Sequence, residues 1–142
     1  MAMADRTAST VWEGDLAHGN GNLSLKSGAT DDLPVTWASR TERSDGKTSP
    51  EELIAAAHSS CFSMALSAGL SKAGTPPTGL ETRADVELTP GTGITGIHLT
   101  VVGDVEGITE EQFVDAAEAA KKGCPVSQAL SGTTITLDAS LR

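Results

Sequence analysis

The sequence predicts an α+β domain in which helices lie on a largely antiparallel sheet. Three observations predict it. "TRADVELTP" and "TGIHLTVVGDVEG" alternate polar and apolar residues on either side of Pro90-Gly91, the pattern of an antiparallel strand pair. Two segments, after Ser49 and after Thr109, open with capping boxes and continue with helical spacing. No strand, Gly-rich loop and helix follow one another in the manner of a nucleotide site. "GTGITG" precedes a strand, so it does not qualify. The element order reads β-β-β-α-β-β-α-α-β, and we expect one domain over residues 1–142.

Along the chain, "TVWEGDLAHGNGNLSLKSG" holds two short strand-like pieces around the turn-rich "HGNGN", and "LPVTWASR" reads as a third strand. A polar loop, "TERSDGKT", leads to the first helix. There Ser49 is placed to cap, Pro50 suits the first helical position, and Glu52 sits three residues past the cap. Leu53, Ala57, Cys61, Met64, Ala65 and Ala68 fall at three- and four-residue spacing and predict its buried stripe. Gly74 and Thr75-Pro76-Pro77 stop it. The second helix is capped by Thr109 with Gln112, with Phe113, Ala116, Ala117 and Ala120 apolar. Lys121 and Lys122 suit its negative end, and Gly123 ends it. "CPVSQAL" predicts a short third helix with Cys124 at its N-cap, and "TTITLDASL" a closing strand.

Composition narrows the function classes. Net charge is −9 with no basic cluster, and aromatic content is 3%, which argues against nucleic acid and anionic membrane as partners. The stretch Leu53 to Leu70 reads as too rich in Ser, Gly and His for a membrane span. The start, "MAMADRTAST", lacks a signal-peptide layout, so we expect a cytoplasmic chain. Two cysteines in such a chain are not a disulfide framework; they are inert core thiols or chemically employed.

Each candidate group admits a bland reading. Cys61 lies on a helix, where a free Cys often serves as a small core hydrophobe. Cys124 stands at a helix start, where the dipole favours a thiolate. His58, three residues before Cys61, shares its helix face. A metal site would need His58, Cys61, Cys124 and a further ligand such as His18 or His98, and it lacks most of the close ligand pairs such sites use. Arg40, Arg43 and Glu51 suit solvated charges or helix-start carboxylates. The capping box accounts for Glu52 and leaves Glu51 unassigned. Glu51 and Cys61 are ten residues apart, about 15 Å along a helix. If both serve one site, an arginine bridges them or Glu51 comes from a second subunit.

The stretches "WEGD" (Trp12–Asp15), "PEELIAAAHSSCFSMALS" (Pro50–Ser67), "TPPT", "GCPVSQAL" (Gly123–Leu130) and "ITLD" (Ile135–Asp138) together resemble the OsmC/Ohr family of organic hydroperoxide peroxidases, and its OsmC branch more than its Ohr branch. The resemblance covers essentially the whole chain. It implies an OsmC-like α+β fold, with a long central helix on curved antiparallel sheets, in an intertwined homodimer with two sites at the subunit interface. It implies Cys61 as the peroxidatic cysteine and Cys124 as the resolving cysteine. Arg40 matches the active-site arginine, with Arg43 as a substitute, and Glu51 its carboxylate partner. It implies an organic hydroperoxide substrate and a dithiol reductant, and no metal or organic cofactor. An apolar lining from Leu53, Ile54, Phe62 and Met64 would favour alkyl over hydrogen peroxide. The alternative from another class is a stress-induced binding or structural domain whose thiols are inert.

Overall fold

The structure is a computed structural model and describes residues 3–142. It divides into two compact units, one running to Pro50 and the other spanning Glu51–Arg142.

The N-terminal unit is a three-stranded antiparallel sheet, β1 (Ala8–Glu13), β2 (Asn20–Leu25) and β3 (Leu33–Val35), in the order β1-β2-β3. Its first two strands match the expectation. The third strand is shorter than expected, because the chain turns into a small helix, α1 (Trp37–Thr41). Thr36 ends the strand and starts the helix: its hydroxyl accepts from the Ser39 N–H at 3.0 Å, and the Ser39 hydroxyl accepts from the Thr36 N–H at 2.9 Å. Thr-Trp-Ala-Ser is thus a capping box with Ser in the place usually held by Glu or Gln, and it moves Arg40 from a strand to a helix. β1 is exposed along its whole length, Val11 included.

The C-terminal unit begins with α2, a helix of 23 residues, Pro50–Lys72. Its end follows the prediction. Gly74 adopts φ 87°, Thr75 N–H donates to Leu70 O, and Gly74 N–H donates to Ser71 O. This closes the last turn with a residue for which the left-handed region carries no steric penalty. A second sheet follows in the order β4 (Gly79–Thr89), β5 (Gly93–Asp104), β6 (Thr134–Leu141). β4 and β5 form the expected antiparallel hairpin, with a register shift at Glu87/Leu88. β6 pairs parallel to β5, reached through α3 (Glu110–Gly123) and α4 (Pro125–Ala129). A parallel neighbour requires such a crossover. Both α3 capping-box bonds at Thr109 and Gln112 are present.

The core of this unit comes from period-two alternation meeting helical spacing. Ile97, Leu99 and Val101 of β5 face inward, and the β6 residues Ile135, Leu137 and Ala139 sit opposite them in register. Phe113, Ala117 and Ala120 of α3 join them, with Phe62, Leu66 and Leu70 of α2. The α2 stripe predicted from sequence is therefore corrected. The buried positions are Glu51, His58, Phe62, Leu66 and Leu70, whereas Ala57 and Ala68 are exposed and Met64 is 71% exposed. Ala and Ser surround this helix, so its apolar pattern has little contrast. The large side chains decide which face turns inward. Among the described residues α2 alone is long and apolar enough, by length and composition, to cross a membrane. The expectation that its Ser and His make it too polar is not met on that measure. Phe62, Leu66 and Leu70 nonetheless lie in the core cluster.

Gly103 of β5 marks a tight approach to the core. A Cβ there would lie 2.5 Å from Cζ of the buried Phe113 ring, whereas one at Gly132 would meet nothing within 4 Å. We expect Gly103→Ala to lower unfolding free energy by about 1–3 kcal/mol through overpacking. Gly132→Ala should stay within about 0.5 kcal/mol of the parent. Urea denaturation of both variants checks the pair.

Candidate active site

Cys61 lies in the middle of α2, one residue before the core side chain Phe62, which fixes the rotation of the helix. Cys124 joins α3 to α4: its N–H donates to Ala120 O at the end of one helix, and it is the N-cap of the next. These two positions, 63 residues apart in sequence, bring the sulfurs to 2.8 Å, both as free thiols. Cys124 is fully buried, and Cys61 is partly exposed.

The two sulfurs are not electrostatically equivalent. Burial raises the Cys61 thiol, and holding the proton shared with Cys124 raises it further. Burial also pushes Cys124 upward, but other groups outweigh it and its pKa is lowered. These are the proton shared from Cys61, the N–H and hydroxyl of Ser127, and the N–H of Val126. Those donors act on the sulfur without a tight capping bond from its side chain. When the pair loses its first proton, the charge therefore favours Cys124, with Cys61 as the thiol. Whichever sulfur carries the proton, a transfer across 2.8 Å exchanges the roles.

Behind Cys124 lies a group the sequence did not disclose as part of the site. Ser127 occupies the third position of α4, and its hydroxyl meets His58 Nε2 at 2.7 Å. His58 is fully buried, and its pKa is lowered by burial, so the neutral imidazole is favoured. Its Nδ1 has no hydrogen-bond partner. The signal for Ser127 was its spacing: three residues after an N-cap, a side chain faces back towards the cap.

The other predicted residues fall as follows. Arg40, on α1 in the N-terminal unit, holds its guanidinium 5.8 Å from the Trp37 ring centroid, a cation–π stack. Arg43 is 84% exposed and lies 3.9 Å from Asp45, as a surface charge does. Glu51 is buried, at 7% exposure, in the first turn of α2. The helix runs unbroken to Cys61, so about 15 Å of axis separates them within one chain. Of the four apolar lining candidates, Phe62 is fully buried in the core and Ile54 packs against it. Leu53 and Met64 retain exposure. Among the described residues, no three His, Cys, Asp or Glu side chains cluster so as to hold a metal ion. His18 instead bonds Asp15, and His98 bonds Thr136 and Asp138.

The geometry defines a paired-thiol site on a two-sheet α+β scaffold with a long helix. The family model described as OsmC-like protein matches residues 43–138. Peroxiredoxin OsmC of Escherichia coli (strain K12) is 46% identical over 134 residues, 92% of each chain. This chain belongs to the OsmC family. The fold is shared with an organic hydroperoxide resistance protein OsmC from Legionella pneumophila (TM-score 0.75, 22% identity, 99% of each chain covered). It is also shared with OhrB of Bacillus subtilis (TM-score 0.71, 24% identity, 96% of this chain and 98% of that one).

Burial of His58 has a pH consequence. Its folded pKa lies below the ordinary 6.5, so the unfolded chain binds the extra proton first as pH falls. Stability attributable to this group is therefore full above about pH 6.5 and declines as pH drops from there towards the folded value. We expect the fall in urea midpoint between about pH 7 and pH 5.5 to be smaller in His58→Gln than in the parent. Equal falls in the two proteins would show that His58 does not contribute this term.

Proposed function

We propose that this chain is a thiol-dependent peroxidase that reduces organic hydroperoxides to alcohols through Cys61 and Cys124. The observation that carries this reading is the meeting of the two sulfurs at 2.8 Å from separate helices. The names of its relatives, a peroxiredoxin and organic hydroperoxide resistance proteins, agree with it.

Accessibility supports this division of roles. A peroxide can reach the partly exposed Cys61 and not the fully buried Cys124. The attacking species is a thiolate, so Cys61 first passes its proton to Cys124. The Cys61 thiolate then attacks the distal peroxide oxygen and the O–O bond breaks. The alkoxide leaves and takes up a proton as alcohol, and Cys61 remains as a sulfenic acid. Cys124 condenses with it to a disulfide and releases water, which protects Cys61 from irreversible oxidation. A dithiol reductant reopens the disulfide.

Arg40 and Glu51 complete the proposal. A guanidinium is always charged and donates in a planar fork, which suits both a peroxide and a carboxylate partner. The axial distance from Glu51 to Cys61 requires either Arg40 as a bridge or Glu51 from a second subunit. A homodimer accords with the exposed face of α2 around Met64 and with the fully exposed β1. One domain over residues 1–142 accords with a family match that runs across the boundary between the two units. The half-buried Leu53 and the exposed Met64 suit an alkyl substituent on the peroxide.

Cys61→Ser should lose essentially all reduction of cumene hydroperoxide, measured as cumyl alcohol formed. Cys124→Ser should form one equivalent of alcohol per subunit and then stop under a dithiol reductant. Unimpaired turnover by Cys61→Ser would overturn the assignment and favour inert thiols.

A further inference from the structure

We propose that His58, acting through Ser127, accepts the proton of Cys124 while the disulfide closes. This rests on the peroxidase reading above and specifies its second half.

The need arises from the first half. Once Cys61 has given its proton to Cys124 and attacked the peroxide, Cys124 is a thiol. It must become a thiolate to displace oxygen from the Cys61 sulfenic acid. Cys124 is fully buried, so water is poorly placed to take that proton. The buried chain behind it is suited to do so. Ser127 stands three residues after Cys124, at the N-cap and third positions of one short helix, and its hydroxyl lies 2.7 Å from His58 Nε2. The hydroxyl also acts on the Cys124 sulfur as a donor.

A serine hydroxyl has one proton and can accept others, so the chain has two directions. With Cys124 as thiolate, Ser127 donates to the sulfur and the Nε2–H of the protonated His58 donates to Ser127. With Cys124 as thiol, S–H donates to Ser127, Ser127 donates to Nε2, and the neutral imidazole keeps its own proton on Nδ1, the nitrogen without a hydrogen-bond partner. For closure, the Cys124 proton passes to Ser127 Oγ while the Ser127 proton passes to Nε2. The thiolate attacks the Cys61 sulfur, an S–S bond forms and the S–O bond breaks. The departing hydroxide collects the proton that His58 held. One water is released and His58 ends neutral. Cys61 is the ionisable group acting on Cys124, and burial alone shifts His58. Glu51, the other buried ionisable residue of α2, is seven residues away, about 10 Å along the helix. His58 touches neither sulfur in this scheme and is a positioning and proton-holding residue; Ser127 is the group in contact.

The test is a single turnover with one equivalent of cumene hydroperoxide in the full chain. Alcohol release, dimedone-trapped sulfenic acid and disulfide are followed in the same sample. His58→Gln keeps a donor for Ser127 but cannot take a proton; Ser127→Ala removes the link and guards against a misfolded His58 variant. In both variants, closure should slow by about tenfold or more relative to alcohol release, with sulfenic acid accumulating. Its rate should rise about tenfold per pH unit through neutrality, because hydroxide must deprotonate the thiol, whereas the parent should rise less steeply. Closure that keeps the parent's ratio to alcohol release and the parent's pH profile in both variants overturns the relay alone. A parent that releases no alcohol and forms no Cys61–Cys124 disulfide overturns the peroxidase reading and the relay with it.

Discussion

The rotation of α2 about its own axis is the constraint on which the rest of the C-terminal unit depends. An Ala- and Ser-rich helix has little preference for one face. Phe62, Leu66 and Leu70 supply it by entering the cluster formed by Ile97, Leu99, Val101, Phe113 and Ala117. With those three turned inward, His58 is carried into the buried stripe and reaches Ser127. Cys61, one residue before Phe62, is held at the edge of the core against Cys124. On the far side of the helix, the Ser63 hydroxyl donates to the Thr82 hydroxyl of β4 at 2.7 Å, which ties the same rotation to the sheet. A small change in that rotation would separate the sulfurs, so packing and chemistry are set together.

The Cys61–Cys124 contact at 2.8 Å and the His58–Ser127 contact at 2.7 Å both tie α2 to the segment that opens α4. Charge rests more easily on Cys124, while exposure favours attack from Cys61. In the proposed reaction, that division would separate the tasks of storing a thiolate and presenting a nucleophile. A fully buried imidazole with an unpartnered nitrogen carries a stability penalty. Such a group is more readily understood in a proton path than in a packing role alone.

Much of this was legible in the sequence where local rules decide the outcome. The β4–β5 hairpin follows from alternation around Pro90-Gly91, α3 from Thr109 and Gln112, and the end of α2 from Gly74. Cys124 was placed correctly at a helix start, because Gly123 ends one helix and Pro125 opens the next. Other features depend on distant partners. The buried face of α2 was misjudged, since small residues give no contrast until the sheet and α3 are present. The residues of α1 read as strand in the sequence, because Thr36 and Ser39 form a capping box without the usual Glu or Gln. The parallel pairing of β6 and the contact of His58 with Ser127, 69 residues apart, leave no local trace.

The most direct test of the central claim is a thiol titration before and after one equivalent of cumene hydroperoxide, followed by peptide mass mapping. The account predicts that both thiols disappear together and that a peptide pair joined through Cys61 and Cys124 takes their place. Two thiols that remain titratable after the hydroperoxide is added would contradict it.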